Sequence, residues 1–259
     1  MAYLYDTHLH TSQGSACGVS RGKDYIQRYL DLGYTGIIVT DHFYRGNCAV
    51  NRGNSWDRWV HKFCIGYEDA LEEGTRRGLD VFFGWEETFE GDDYLVYGLD
   101  KQWLLEHPEV RSWTRKEQLE ETRRYGGCVV QAHPFRQYYY IKNIRLSGCV
   151  DAVEAANAAN DRDFDFFAWT YAKKLKLPVT AGSDAHYVKG LQPETAYGVY
   201  LDKMINSIGD YADAVRNNRI AGLKVPEGRF DYHGNEKIEL PMDIRNNRDQ
   251  PIGDNLAGI

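Results

Sequence analysis

Five short stretches of the chain carry imidazoles, carboxylates or both that could bind a metal. His8 and His10 flank Leu9 in "YDTHLHTS", Asp41 and His42 follow "GIIVT", and Glu86 comes late in "VFFGWE". His133 follows "CVVQA", and Asp184 and His186 share "GSDAH". Residues two apart on extended backbone project to one face, so His8 and His10 can approach a single divalent ion together. Imidazoles mixed with carboxylates suit zinc, manganese or iron rather than calcium. His8, His10, Glu86, His133, Asp184 and His186 are too many ligands for one ion. The expectation is a cluster of two to three divalent metal ions (Zn, Mn or Fe), with a carboxylate bridging a pair. His61, His107 and His233 fall in a helical stretch, before a proline and in the tail, and read as structural.

Such a set needs a scaffold that gathers distant segments. "YLYDTHLHT", "YTGIIVTDH", "CVVQAHP", "VDAVEAAN" and "PVTAGSDAH" read as strands, and "DVFFGWEETF" with "DYLVYGL" as a hairpin around "EGDD". "SRGKDYIQRYLDLG" reads as a helix with Ser20 as N-cap and Gly33 ending it. "SWDRWVHKFCIGYEDALEEGTRRG" reads as one long helix, with Trp56, Trp59, Val60, Phe63, Cys64, Tyr67 and Leu71 at helical spacing. "RKEQLEETRRYGG", "DFDFFAWTYAKKLK" and "INSIGDYADAVRNN" complete the helices. This alternation argues for a parallel α/β sheet or a (β/α) barrel in one domain. Catalytic groups in such folds sit at the carboxyl ends of strands, where the candidates above all fall. Residues 219–259 are polar and turn-rich, and read as an edge strand and a C-terminal extension.

The bulk properties narrow the function. Net charge is −7 and no dense Lys/Arg block occurs, so a grip on duplex nucleic acid is not expected. No apolar run reaches membrane-spanning length and neither end reads as a signal segment, so no membrane partner is expected. Cys17, Cys48, Cys64, Cys128 and Cys149 are an odd number without a CxxC pair, which favours a reducing, cytoplasmic setting over a disulfide framework.

With these residues in place, the chain resembles the polymerase and histidinol phosphatase (PHP) family of metal-dependent phosphoesterases. The motifs are "THLH", "VTDH", "FGWE", "AHPFR", "VEAAN" and "GSDAH", in the family's order between residues 5 and 190. The resemblance implies a single-domain α/β fold over residues 1–259, a distorted (β/α)7 barrel with a metal cluster at its carboxyl end. It implies that His8, His10 and Asp184 bind the first metal, and that Glu86 bridges the first and second. It assigns His133 to the second, and His42 and His186 to the third. Relatives carry a histidine or aspartate five or six residues after the His-x-His, where this chain has Ser15 and Ala16; Cys17 lies just beyond. Relatives also carry a second-metal histidine where this chain has Leu95, with Asp93 on the same strand face. Cys17 and Asp93 are thus possible extra ligands, and two tightly bound metals with a weaker third are expected.

The expected reaction is hydrolysis of a small phosphorylated substrate, a phosphomonoester or a nucleotide or short oligonucleotide phosphoester, by a metal-activated hydroxide. His8, His10, Glu86, Asp184 and His186 would form its catalytic set. Arg136 and Arg45 follow ligand-bearing strand ends and are candidates for binding the phosphate. Asp6 and Asp41 are placed to orient imidazoles, or in the case of Asp41 to cap a loop. Glu154 and Asn157 can line the pocket or satisfy backbone groups. Two other readings are an amidohydrolase-type metal hydrolase, which usually has a bridging lysine not found at a strand end here, and a non-catalytic metal-stabilised binding domain.

Overall fold

The computed structural model describes residues 2–136, 143–234 and 242–252. Parts of the predicted C-terminal extension, 235–241 and 253–259, lie outside the described residues. The elements in chain order are β1 (Tyr3–Asp6), α1 (Gly22–Asp31), β2 (Gly36–Val39), α2 (Trp56–Phe63), α3 (Ile65–Arg77), β3 (Asp80–Phe89) and β4 (Asp92–Tyr97). They continue with α4 (Lys101–Glu106), α5 (Arg115–Arg124), β5 (Cys128–Gln131), β6 (Ile144–Leu146), β7 (Ala152–Asn157), α6 (Arg162–Leu175) and β8 (Val179–Gly182). The last are β9 (Gly198–Leu201), α7 (Ile208–Arg216), β10 (Gly222–Lys224) and β11 (Met242–Ile244).

Nine strands form one sheet in the order β10-β9-β1-β2-β3-β4-β5-β7-β8, and β11 pairs with β6 apart from it. The sheet curls into a nearly closed barrel. The segments beyond β1 and β8 meet: Leu9 bridges Ala185, His10 N donates to Ala185 O at 2.9 Å, and Asp184 N donates to His8 O at 2.8 Å. The expected mixed α/β barrel is therefore observed, but it is not wholly parallel. The β3–β4, β4–β5, β1–β9 and β9–β10 pairs are antiparallel. The β3–β4 hairpin turns at Glu90 and Gly91, both with positive φ, which is the geometry tight two-residue hairpins need.

Inward residues of the strands, among them Tyr5, Ile38, Leu95, Tyr97, Val130 and Val199, pack with Tyr211, Ala212 and Val215 of α7. Outside the sheet, Phe43, Trp59, Phe63 and Trp85 form an aromatic cluster in which Phe43 stacks on Trp85 at 5.1 Å. The predicted long helix is two: Cys64, with ψ near −3°, separates α2 from α3, although Glu68 N still donates to Cys64 O across the junction. Close packing accompanies the break. A Cβ on Gly22 of α1 would lie 2.0 Å from the Gly66 carbonyl oxygen, and one on Gly66 would lie 2.0 Å from Thr11 Oγ1. Ser20 is not the cap of α1, whose N-cap is Arg21; the Ser20 hydroxyl accepts from Val188 N instead. Among the described residues no helix is long and apolar enough to cross a membrane.

Candidate metal centre

The carboxyl ends of β1, β2, β5 and β8 and the middle of β3 converge on one buried point. Hydrogen bonding of β1 stops at Asp6, but the backbone runs on past His8 and His10, and their rings stay on one side with Nε2 atoms 3.1 Å apart. Asp184 Oδ1 completes this group at 3.5 Å from His8 Nε2 and 3.1 Å from His10 Nε2. A second group joins His8, Glu86 and His133, with Glu86 Oε1 3.4 Å from His8 Nε2 and 3.2 Å from His133 Nε2. A third joins His10, His42 and His186, whose rings lie 4.4 and 4.6 Å from that of His10. Glu86 Oε2 reaches into this one, 2.8 Å from His42 Nδ1 and 3.4 Å from His10 Nε2.

All seven predicted ligands are thus brought together. Asp93 Oδ2 lies 3.9 Å from His133 Nε2, at the edge of the second group, while Leu95 is buried in the barrel interior. The fit to cations rests on two atoms. Glu86 Oε2 and His42 Nδ1 are buried and close, yet neither has a hydrogen-bond partner of acceptable geometry. Buried polar atoms left in that state are costly, and a bound cation would satisfy them.

Comparison with known proteins gives the architecture a context. The family described as PHP-associated (PHP_C) matches residues 165–191, which carry α6, β8 and the Asp184–His186 motif. A candidate metal-dependent phosphoesterase from Bifidobacterium adolescentis superposes with a TM-score of 0.53 at 16% identity, over 83% of this chain and 96% of that one. A two-domain protein from Bacteroides vulgatus, containing a predicted PHP-like metal-dependent phosphoesterase, superposes with a TM-score of 0.56 at 16% identity. That match covers 85% of this chain and 64% of the longer one. PsfC from Pseudomonas syringae gives 0.53 at 17% identity, over 88% and 93%.

The chain has the PHP-type fold.

The family resemblance carried by the motifs is borne out at this level. No curated protein matches the sequence.

Around the point where these side chains converge, buried acceptors fix the imidazoles. His8 Nδ1 donates to Glu154 Oε1 at 2.9 Å, which turns its Nε2 lone pair to the centre. The other Glu154 oxygen accepts from His133 N and from Asn157 Nδ2. His10 Nδ1 faces Ser15 Oγ at 3.1 Å, and that hydroxyl donates to Asp41 Oδ1 at 2.7 Å. Asp41 therefore acts on an imidazole through Ser15, a residue the sequence marked only as a departure. Asp6 does not orient a ring: its oxygens accept from the backbone N–H groups of His8 and Ser183 and from Tyr29 OH. His133 and Asp184 both hold positive φ, 29° and 52°, a backbone strain of about 1–3 kcal/mol each that the surrounding contacts must support.

The two arginines sit differently from the expectation of free phosphate clamps. Arg136 donates to Asp184 Oδ2 at 2.8 Å and to the side-chain oxygens of Asn157 and Asn160, both at 2.6 Å. Arg45 donates to Glu87 Oε2 at 2.8 Å and to Trp113 O at 2.7 Å, with its guanidinium over the Phe89 ring. Arg45 is turned into this outer layer, away from the ligand groups.

Charge is strongly coupled across the centre. Burial raises the carboxyl of Glu86, but His42 and His8 outweigh it and hold the group well below the ordinary carboxylate range. Asp184 behaves alike, with His8 and Arg136 overcoming burial. Burial disfavours a charged His8, yet Glu154, Asp184 and Glu86 raise it well above the usual imidazole value. His42 is raised in the same way, chiefly by Glu86. Burial and then the neighbouring His42 bring His10 down to about 3.

Proposed function

We propose that this protein is a metal-dependent hydrolase of small phosphate esters. In this reading His8, His10, Glu86 and Asp184 hold a first divalent ion, and Glu86 and His133 with Asp93 hold a second. His42 and His186 hold a third, and His8, His10, Glu86, Asp184 and His186 surround the reacting phosphoryl group. The observation that carries the reading is the placement of Glu86, whose two oxygens face different imidazole pairs, His8 with His133 and His10 with His42.

Divalent ions held there would supply positive charge for phosphoryl oxygens and acidify water near neutral pH. The chain's own groups do the rest. Glu154 and the Asp41–Ser15 pair hold His8 and His10 with Nε2 turned inward. Arg136 takes one oxygen of Asp184 and leaves the other for the centre, which makes it a positioning residue. Glu86, Asp184 and Asp93 by themselves present negative charge to an anionic substrate. Divalent cations there would add to the positive charge of Arg136 and favour the approach of a phosphate, which ties binding to metal loading.

The test is elemental metal analysis of the pure protein with phosphate release from a panel of phosphomonoesters and diesters, on wild type, His8→Ala and Glu86→Gln. Two or more metals per chain, and turnover lost in both variants with unchanged circular dichroism, would support the reading. Bound metal with no turnover on the panel would leave a binding role or an amide substrate, and would remove the phosphoesterase assignment.

A further inference from the structure

Part of the C-terminal extension reaches the support of the centre from behind. Residues 226–233 lie along α6, where Phe230 stacks on Trp169 at 4.4 Å and His233 N donates to Asp163 Oδ1 at 3.0 Å. From this segment Arg229 turns inward and is buried. It donates to Asn157 O at 3.2 Å, to Asn160 O at 2.6 Å and to Asp165 Oδ2 at 2.7 Å. Asp165, fully buried, accepts in turn from Asn160 Nδ2 at 2.8 Å and from Asn157 N at 3.1 Å. A carboxylate can only accept, so Asn160 must present its NH2 group to Asp165 and its Oδ1 to Arg136 Nε, 2.6 Å away. Glu154 turns the Asn157 amide in the same way, and Asn157 Oδ1 takes Arg136 Nη2. The guanidinium so fixed holds Asp184 Oδ2, while Asp184 Oδ1 faces His8 and His10.

Building on the metal centre of the preceding reading, we propose that Arg229 is a positioning residue of that centre, acting through Asp165, Asn160 and Arg136 on Asp184. Its charge is what the position requires. A carboxylate buried as deeply as Asp165 stays ionised only beside a paired cation. Burial pushes the Asp165 carboxyl up to about 6, and Arg229 is the chief group holding it back. Without Arg229 the acid would be neutral and able to donate, and it would no longer dictate the Asn160 amide. A turned amide would set its NH2 group against Arg136, donor facing donor, and loosen the hold on Asp184. The segment that follows the last motif of the chain thereby supports a ligand of the first ion.

The test is a double-mutant cycle read as metal affinity. Metal-free wild type, Arg229→Met, Arg136→Met and the double variant are titrated with Zn²⁺ against a chromogenic chelator. Arg229→Met should weaken binding of one ion by about 10-fold, the low end for losing support behind a ligand. It should cost little more once Arg136 is gone, because the two act in series. Arg229→Lys, which keeps a cation on Asp165, should restore most of the affinity. Arg162→Met, which removes an exposed bond to Gly228 O on the same segment, should bind like wild type. Arg229→Gln, which drops the charge and keeps a donor, is the milder second variant if Arg229→Met fails to fold, and should show the same dependence on Arg136. Unchanged affinity on loss of the Arg229 charge, or losses that add independently in the double variant, would overturn the proposal and leave the metal centre standing. No zinc bound by the wild type would overturn both.

Discussion

Glu86 reaches four imidazoles, and its neighbours are arranged so that protons and cations compete for the same atoms. In the metal-free protein His8 and His42 hold their protons above the ordinary imidazole range. A bound ion needs their lone pairs, so metal uptake must release protons, and affinity must rise as pH rises from the ordinary imidazole value through the raised ones. Calorimetric titrations in two buffers of different ionisation enthalpy measure this directly; affinity that strengthens on acidification would contradict it. A second expectation concerns Ser15. Ser15→Ala removes the link between Asp41 and His10 without touching a ligand atom, and should weaken metal binding by roughly 10–100-fold. The seven candidate ligands were legible in the sequence because each is a histidine or acid within or just after a strand. Ser15 and Glu154 were not legible as orienting groups, because their role depends on a partner. The partner of Glu154 is His8, 146 positions away along the chain.

Among the elements, the close approach of β8 to the end of β1 sets the centre's geometry. A Cβ on Gly182 would fall 2.4 Å from His8 Cβ and 2.7 Å from Glu154 Oε1. Gly182→Ala should therefore displace His8, cost about 1–3 kcal/mol in urea unfolding by overpacking, and reduce bound metal. Trp59→Ala, in the aromatic cluster behind α2, should cost about 3–5 kcal/mol by the same measurement and leave metal stoichiometry intact. An equal loss of metal in both would remove the distinction between site geometry and general packing. Strands such as β3 and helices such as α6 were legible because their apolar residues recur over ten or more positions. The strands β6 and β9 are three and four residues long and carry no motif to mark them, whereas β10 falls where an edge strand was expected and forms one edge of the sheet. The antiparallel pairing of β9 with β1 and β10 is settled only by tertiary contact.

The barrel closes where the backbone beyond β1 meets the backbone beyond β8. The backbone bonds between His8 and Asp184 and between His10 and Ala185 are that seam, and the side chains of His8, His10 and Asp184 lie on it. Ions bound there stabilise the native barrel by linkage, by about 2.7 kcal/mol at a free concentration one hundred times the dissociation constant. Chelator treatment should accordingly lower the melting temperature and speed hydrogen exchange at the His10 and Asp184 amides more than at those of β3 and β4. Exchange that accelerates evenly over the sheet would argue against a seam held by ions.

The same seam orders events during synthesis. Its first half has no partner until residues 179–186 leave the ribosome, by which time β2 to β7 exist. Contacts so far apart along a chain form late and slowly. The barrel must therefore wait, open along one side, for its last parallel strand, and the residues of the centre come together only as that side closes.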